Sequence, residues 1–193
     1  MHPVATMLYE QIRPRLHVNG SVYKPLGDSA MLGHAVERYA FGKMLDLGTG
    51  TGIQGIIGAL KGCDVTFADI NPNAVRCARE NARLNGVNGR FVVSDLFKKV
   101  RGRFNTIAID PPFLRSRPVG SRTDPSFDGG INGREVIDGF LDNYKRHVMK
   151  EHLVLMVGSH LTHFEHDVKE LNAEIVERAH YPLLGDYVVL KFL

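Results

Sequence analysis

A glycine-rich turn between an apolar strand and a helix constrains the fold of this chain more than any other feature. Residues 43–54 read KMLDLGTGTGIQ, with glycine at positions 48, 50 and 52. Glycine has no Cβ, so the backbone there can adopt positive φ angles and approach a ligand closely. A strand that enters such a turn and leaves it as a helix is typical of a doubly wound sheet. We therefore predict a doubly wound, Rossmann-like α/β fold with a mostly parallel sheet.

The residues after the first two strands predict a nucleoside-binding site. A second apolar strand, residues 65–68, is followed by Asp69. An acid at this strand end can accept hydrogen bonds from both hydroxyls of a ribose. A dinucleotide turn would require glycine where Ile53 stands, and Asp46 would repel a pyrophosphate. Asp46 suits a cationic or ammonium-bearing ligand instead. The alternative is a tight strand-to-helix turn without any ligand.

Two later strand ends add polar residues to the same edge of the sheet. The strand at 91–93 is followed by Asp95, which can hold an adenine amino group or serve as a plain turn residue. The strand at 104–109 ends in Asp-Pro-Pro-Phe, residues 110–113. Its prolines lack N–H groups and fix φ, so this segment cannot continue the sheet. It presents its side chains and carbonyls rigidly, where ligands of such folds bind.

The rest of the chain alternates helices with strands. Asp28 or Ser29 is a candidate helix cap, and Asn71 before Pro72 is another. We predict helices over 29–39, 52–61, 72–84, 133–148 and 161–171, a fifth strand over 153–157, and an antiparallel C-terminal hairpin of 174–181 with 186–192.

A long connection, residues 114–132, follows the proline motif. It carries Arg115, Arg117 and Arg122. Loops of this length inside a compact domain are usually functional or mobile, so we expect a lid that grips a substrate.

Composition sets the class of protein. A length of 193 residues predicts one domain spanning 1–193, with residues 1–42 as an N-terminal arm and helix within it. No apolar run is long enough to cross a bilayer and no signal peptide is evident, so we expect a cytoplasmic protein. The net charge of +3 permits contact with nucleic acid but does not require it.

Neither cysteines nor histidines predict a metal site. Cys63 and Cys77 lie outside any C-x-x-C spacing, which makes a disulfide or a cysteine zinc site improbable. The histidines at 160, 163 and 166 would spread around a helix instead of converging, so we predict no metal there.

Three stretches together resemble the HemK/PrmC-like methyltransferases, a group of class I enzymes that depend on S-adenosyl-L-methionine. They are the pattern V-Y-x-P-x-x-D-S-x-x-L at 22–32, the turn at 46–52, and GGINGREVID at 129–138. The resemblance implies methylation of the side-chain nitrogen of the glutamine in the Gly-Gly-Gln motif of class 1 translation release factors. The chain is similar to the short archaeal and eukaryotic form, which implies a small zinc-containing activator subunit as a partner.

The strand ends and the resemblance together define the candidate site. The candidate catalytic residues are Asp110, Pro111, Pro112 and Phe113. The candidate residues for binding S-adenosyl-L-methionine are Tyr23, Ser29, Asp46, Gly48, Thr49, Gly50, Gly52, Asp69, Ile70, Asn71, Asp95, Leu96 and Asp110. The Asp110 carboxylate and the Pro111 carbonyl would accept both N–H groups of a planar nitrogen and orient it for attack, with Phe113 stacked on the flat group.

One departure from the family leaves other functions open. The family usually has Asn-Pro-Pro-Tyr, and this chain has Asp-Pro-Pro-Phe at 110–113. Asp-Pro-Pro-aromatic is similar to the motif of nucleic-acid methyltransferases that act on adenine N6 or guanine N2. A carboxylate accepts from an N–H but cannot donate to an amide carbonyl. The alternatives are therefore a nucleic-acid methyltransferase and a cofactor-binding partner protein without catalysis.

Overall fold

Seven strands form one sheet in the part of the chain that the computed structural model describes, residues 7–18, 20, 22–116, 128–183 and 185–193. They are β1 (Lys43–Leu47), β2 (Asp64–Asp69), β3 (Arg90–Val93), β4 (Phe104–Ile109), β5 (Val148–Ser159), β6 (Glu174–Tyr181) and β7 (Gly185–Phe192). The sheet order is β3-β2-β1-β4-β5-β7-β6. Strands β1 to β5 pair in parallel, and β7 runs antiparallel to both β5 and β6. The predicted fold class, with its antiparallel C-terminal hairpin, is confirmed.

Helices cover both faces of this sheet. They are α1 (Leu8–Ile12), α2 (Gly27–Tyr39), α3 (Ile53–Leu60), α4 (Pro72–Leu84), α5 (Glu135–Leu141) and α6 (Phe164–Glu170). Short 3-10 turns span Arg13–Arg15, Tyr144–Arg146 and His160–Thr162. No helix of the described ranges combines the length and the apolar character that a membrane crossing needs.

The core lies in two layers, one on each face of the sheet. Met44 belongs to the layer under α2 and α3, whereas the next residue, Leu45, belongs to the layer that contains residues of α5 and α6. Both side chains are fully buried, as expected for a strand covered on both faces. Ile56 of α3 is also fully buried, but Leu60, which the helical spacing places on the same face, is 46% exposed at the helix end.

The helix after β2 begins and ends where its local signals predict. Asn71 Oδ1 accepts a hydrogen bond from Asn73 N at 2.9 Å, and Pro72 is the first helical residue. Asn85 follows the last helical residue, and Gly86 has a φ of 70°. Each of these signals acts within a few residues, which is why the sequence predicts both ends of this helix.

Several predicted boundaries are wrong. Neither Asp28 nor Ser29 is the N-cap residue, because α2 starts earlier, after Leu26. Asp28 Oδ1 nevertheless accepts from Ser29 N within the first turn. The helix predicted over 133–148 ends at residue 141, and β5 begins at 148 instead of 153. The helix predicted over 161–171 is interrupted at His163, which has a left-handed φ of 57°. In each case the ends depend on packing between distant segments, which periodicity does not report.

Candidate active site

The residues that follow β1 to β4 surround one large cavity. Its volume is about 1470 Å³, and it opens where the sheet order reverses between β1 and β4. Every candidate site residue except Gly52 lines it: Tyr23, Ser29, Asp46, Gly48, Thr49, Gly50, Asp69, Ile70, Asn71, Asp95, Leu96, Asp110, Pro111, Pro112 and Phe113. Doubly wound sheets bind ligands at such a reversal.

The glycine turn brings backbone close to the second strand. Gly48 and Gly50 have φ angles of 73° and 53°, which side chains rarely allow. Gly48 N donates to Ala68 O at 2.8 Å, and Gly50 N donates to Asp69 Oδ2 at 3.0 Å. The turn therefore fixes the position of the Asp69 carboxylate.

Gly52 has a packing role instead of a place in the cavity. Its φ is 86°, and a Cβ there would lie 3.0 Å from Ala78 Cα in α4. Glycine at this position lets the start of α3 approach α4, which the spacing of the motif alone does not reveal.

Asp46 is a buried acid with no cation among its hydrogen-bond partners in the described residues. Its Oδ2 accepts from Thr49 Oγ1 at 2.6 Å and from Gly55 N at 2.9 Å. Burial raises the pKa of Asp46 to about 6, although these two hydrogen bonds oppose the shift. A positively charged ligand group beside it would stabilise the ionised form.

Gln54 was not predicted from the sequence, although it lines the cavity beside Asp46. Its Nε2 donates to Ser29 O at 2.8 Å, which fixes the orientation of the amide. The opposite atom, Oε1, is buried and has no hydrogen-bond donor in the described part of the chain. A buried acceptor without a donor costs free energy, so an ammonium group of a ligand would satisfy it.

Asp69 lies at the end of β2 and faces the same cavity. Besides Gly50 N, it accepts from Asn71 N at 2.8 Å through Oδ1. Burial raises its pKa above the ordinary value. Each carboxylate oxygen keeps a further lone pair, so both can accept from ribose hydroxyls.

The segment after β3 has an unusual backbone. Leu96 has a φ of 43°, a left-handed conformation that leucine rarely adopts. Ser94 holds it there, since Ser94 Oγ donates to Leu96 O at 2.8 Å and accepts from Lys99 N at 2.9 Å. Asp95 is more exposed and forms an ion pair with Lys98 at 2.7 Å. Strained backbone of this kind is often found where a ligand is held.

Asp110 is hydrogen-bonded to the start of α2. Its Oδ2 accepts from Ser29 Oγ at 3.2 Å. The neighbouring Asp28 accepts from Ser29 N at 2.7 Å and from the Tyr23 hydroxyl at 3.1 Å. Burial raises the pKa of Asp110 well above its usual range, and the charge of Asp28 adds to the increase.

Phe113 contacts both the core and the cavity. Its ring packs edge-to-face against Tyr187 with 5.2 Å between centroids, and it contacts the core layer under α2 and α3. The same residue also lines the cavity, and its stacking on a substrate stays a prediction.

The GGINGREVID stretch packs directly on the proline motif. A Cβ at Gly129 would lie 2.8 Å from Pro112 O, and one at Gly133 would lie 2.7 Å from Phe113 O. Arg134 then fastens the stretch to α6, because its guanidinium donates to both carboxylate oxygens of Asp167 at 2.8 and 3.0 Å. This stretch therefore fixes the backbone of the motif.

The ends of the long connection meet beside the cavity. Leu114 and Asp128 form an isolated bridge, and Ser116 Oγ donates to Asp128 Oδ1 at 2.6 Å. Arg115 is exposed. The other two arginines, Arg117 and Arg122, lie outside the described residues, so the lid stays a prediction.

The described residues contain no group of three histidine, cysteine or acidic side chains that could hold a metal ion. His160, His163 and His166 are exposed. Cys63 and Cys77 are buried, and the Cys77 thiol donates to His17 O at 3.2 Å.

Comparison with known proteins identifies the family. The model described as Methyltransferase small domain matches residues 26–123, just over half of the chain. This chain belongs to that family. It is 37% identical over 166 residues to a Methanocaldococcus jannaschii protein named as a candidate protein N5-glutamine methyltransferase, covering 84% of this chain and 83% of that protein.

Two further proteins extend the comparison. Methyltransferase HEMK2 of Mus musculus is 33% identical over 134 residues, covering 62% of this chain and 63% of that protein, so the chain spans less than two thirds of it. A chain of the E. cuniculi Mtq2-Trm112 complex shares the fold, with a TM-score of 0.69 at 24% identity, covering 89% of this chain and 98% of that chain. The resemblance to HemK/PrmC-like methyltransferases is confirmed.

The enzyme is therefore an S-adenosyl-L-methionine-dependent methyltransferase. The residues of the cavity fit this cofactor. The buried Gln54 Oε1 without a donor and the buried acid Asp46 suit a group that is both cationic and rich in donors, which the amino acid portion of the cofactor supplies.

Proposed function

We propose that this methyltransferase modifies the side-chain amide nitrogen of the glutamine in a class 1 translation release factor. The main support is the packing of the GGINGREVID stretch on the carbonyls of Pro112 and Phe113, because a stretch typical of this family fixes the backbone that would hold the substrate. The M. jannaschii relative is named for N5-glutamine methylation, and the E. cuniculi complex is described as methylating the eRF1 translation termination factor.

We propose that the other strand ends hold the cofactor. Asp46 and Gln54 would receive its amino acid portion, Asp69 its ribose, and the segment around Leu96 its adenine. The bound cofactor supplies the methyl group, which is attached to a positively charged sulfur. This sulfur becomes a neutral thioether when the methyl group is transferred.

The proline motif would orient the acceptor nitrogen. An amide nitrogen is a weak nucleophile because its lone pair is delocalised. Asp110 and the Pro111 carbonyl can accept the two N–H bonds, which turns the lone pair toward the methyl group. Only Ser29 donates to Asp110 among the described residues, and it does so at Oδ2, so Oδ1 can receive the substrate. Orientation of this kind can contribute about 7–11 kcal/mol.

A nucleic-acid amino group is the second candidate substrate. The observation that favours it is Asp110 itself, since an exocyclic amino group needs an acceptor and no amide carbonyl has to be matched. The positive net charge of +3 is compatible with this alternative.

A transfer assay with radiolabelled methyl groups distinguishes the two substrates. The enzyme is incubated with the release factor, with the same factor carrying a Gly-Gly-Glu motif, and with bulk RNA and DNA. We expect label in the unaltered factor only. Label in nucleic acid, or equal label in the factor with the glutamate, would contradict the proposal.

We further propose a small zinc-containing activator subunit, and action in the cytoplasm, where release factors work. The support is the partner named in the E. cuniculi complex. Co-expression followed by co-purification, with metal analysis of the complex, tests the partner and its zinc. Full activity of the isolated chain toward the release factor would argue against the subunit.

A further inference from the structure

Asp110 replaces an asparagine that is usual in the family, and the two side chains differ in one chemical ability. Both can accept a hydrogen bond from an N–H group, but only a carboxylate can take the proton itself. The difference matters here because methylation of an amide nitrogen must release one proton.

We propose that Asp110 is the proton acceptor of the transfer, and that Asp28, acting through Ser29, positions and tunes it. The inference rests on the proposed amide methylation. The nitrogen lone pair forms the new N–C bond, the C–S bond breaks, and its electron pair stays on sulfur as a neutral thioether. The N–H bond then breaks, its electrons stay on nitrogen, and the proton bonds to Asp110 to give a neutral carboxylic acid.

Hydrogen bonds connect Asp110 to Asp28 through Ser29. Ser29 Oγ lies 3.2 Å from Asp110 Oδ2 and 3.4 Å from Asp28 Oδ1, so this hydroxyl lies between the two carboxyl groups and can donate its one hydrogen to either of them. Asp28 is 9% exposed and Ser29 is 4% exposed. The Tyr23 hydroxyl donates to both oxygens of Asp28 at 3.1 and 3.2 Å, which fixes the position of the Asp28 carboxylate. The hydrogen bond from Ser29 to Oδ2 orients Asp110, which lines the cavity.

The electrostatic surroundings favour proton uptake by Asp110. The charged groups that act on it are the acids Asp28 and Asp46. Asp110 in turn raises the pKa of three tyrosine hydroxyls from other segments, Tyr9, Tyr23 and Tyr187, so these stay neutral near it. Burial and the charge of Asp28 raise the pKa of the carboxyl, while the Ser29 hydrogen bond lowers it. A cationic ligand nearby would hold Asp110 ionised before transfer, and loss of that charge on transfer restores its affinity for a proton.

Single-turnover transfer over a range of pH tests the role. We expect the wild-type rate constant to rise with pH and to level off once Asp110 is ionised. Asp110→Asn should lower the plateau about a hundredfold or more and remove the rise. Asp28→Asn should move the rise to lower pH, since it removes a negative neighbour. Asp64→Asn, an exposed acid at the start of β2, is the matched control and should keep the wild-type profile.

Two outcomes would overturn the inference. One is an Asp110→Asn enzyme with the wild-type rate and pH profile. The other is a wild-type rate that falls as the pH rises, which would make Asp110 a proton donor to the substrate carbonyl.

A second measurement does not need turnover. NMR titration of the Asp110 carboxyl carbon in the cofactor-free full-length chain should give a pKa above the ordinary aspartate range, moved downward by Asp28→Asn. An ordinary or lower value in the wild type would also overturn the inference. Thermal unfolding confirms that each variant is folded. Label in nucleic acid instead of the release factor would contradict the proposed function alone, and the same pH profile is then measured on that substrate.

Discussion

The buried acids of the cavity differ in their hydrogen-bond partners from two acids outside it, Asp167 and Asp186. Asp167, at the buried side of α6, accepts two hydrogen bonds from the Arg134 guanidinium. Asp186, on β7, accepts from Arg178 and lies 2.7 Å from His180 Nδ1. Both acids therefore have a cationic or titratable nitrogen in direct contact.

Two buried acids of the cavity, Asp46 and Asp110, have no such partner among the described residues, whereas the more exposed Asp95 pairs with Lys98. Asp46 accepts from a hydroxyl and a backbone N–H, and Asp110 accepts from a hydroxyl. Burial raises the pKa of both, whereas the hydrogen bond with His180 lowers the pKa of Asp186. The difference indicates that the buried pair of Asp167 with Arg134 stabilises the fold, while Asp46 and Asp110 are left for a cationic ligand and a substrate.

The largest expected effect comes from Asp110→Ala. Loss of the carboxylate removes the group that orients the nitrogen, so we expect transfer to fall by about a thousandfold or more. Cofactor affinity should stay within a few fold, because Asp46, Gln54 and Asp69 remain. Calorimetry with S-adenosylhomocysteine measures binding, and Asp64→Ala is the control of matched residue type. An equal loss of binding and transfer would contradict the role given to Asp110.

Arg134→Ala tests the other side of the comparison. It leaves the buried Asp167 carboxylate without its partner, so we expect the free energy of unfolding to fall by about 3 kcal/mol. Arg134→Lys should recover part of this loss, since lysine keeps the charge but not the two parallel hydrogen bonds. Denaturant unfolding provides the measurement. Arg178→Ala, in an exposed pair, should have a much smaller effect, and equal effects would remove the distinction between the two pairs.

Asp46→Asn should weaken cofactor binding by about tenfold to a hundredfold at neutral pH, since a hydrogen bond to a charged group contributes about 1.5–3 kcal/mol. In the wild type, affinity should fall as the pH drops through about 6, because Asp46 takes up a proton in the free enzyme. In the variant the part of this dependence near pH 6 should be lost, whereas any part that comes from Asp69 or Asp110 should remain. Calorimetry on both sides of that pH is the test, and an unchanged dependence in Asp46→Asn would place the titration elsewhere.

The same shift has the opposite sign for stability. Because the pKa of Asp46 is raised in the folded state, the ligand-free protein gains stability from this residue as the pH falls through about 6. Thermal unfolding should show a larger gain in the wild type than in Asp46→Asn, because the raised pKa values of Asp69 and Asp110 remain in the variant.

The smallest effect is expected at Asn71. This residue both stabilises the fold, as the cap of α4, and lines the cavity. Asn71→Ala should lower the free energy of unfolding by about 1 kcal/mol through loss of the cap. The exposed Asn88→Ala serves as the control. A loss of cofactor binding without any loss of stability would assign Asn71 to the cavity alone.

The sequence predicts those parts of the molecule whose causes are local. The turn at Gly48 and Gly50 requires positive φ angles, and the cap at Asn71 acts within its own helix, so both are visible as short patterns. Gln54 is not visible in this way. A glutamine in the first turn of a helix usually faces solvent, and it is buried here only because the Ser29 carbonyl of α2 lies opposite.

Most features that the sequence did not predict depend on contacts between residues that are far apart in the sequence. The break at His163 and the pairing of Arg134 with Asp167 depend on how α6 meets the 129–138 stretch. The link between Ser29 and Asp110 spans 81 positions of sequence. Neither residue type nor spacing indicates such contacts, whereas the resemblance to a known family indicated that the stretches belong together.

The bridge between Leu114 and Asp128 has a consequence for how the enzyme can diversify. Leu114 and Ser116 at one end of the connection are bonded to Asp128 at the other end. The distance between the two ends is therefore set by these bonds and not by residues 117–127. The entropy of closing a loop changes only slowly with its length, so insertions or exchanges between the anchors carry a small thermodynamic penalty. If the predicted lid lies in this interval, a change of acceptor specificity needs no change in the residues around Asp110.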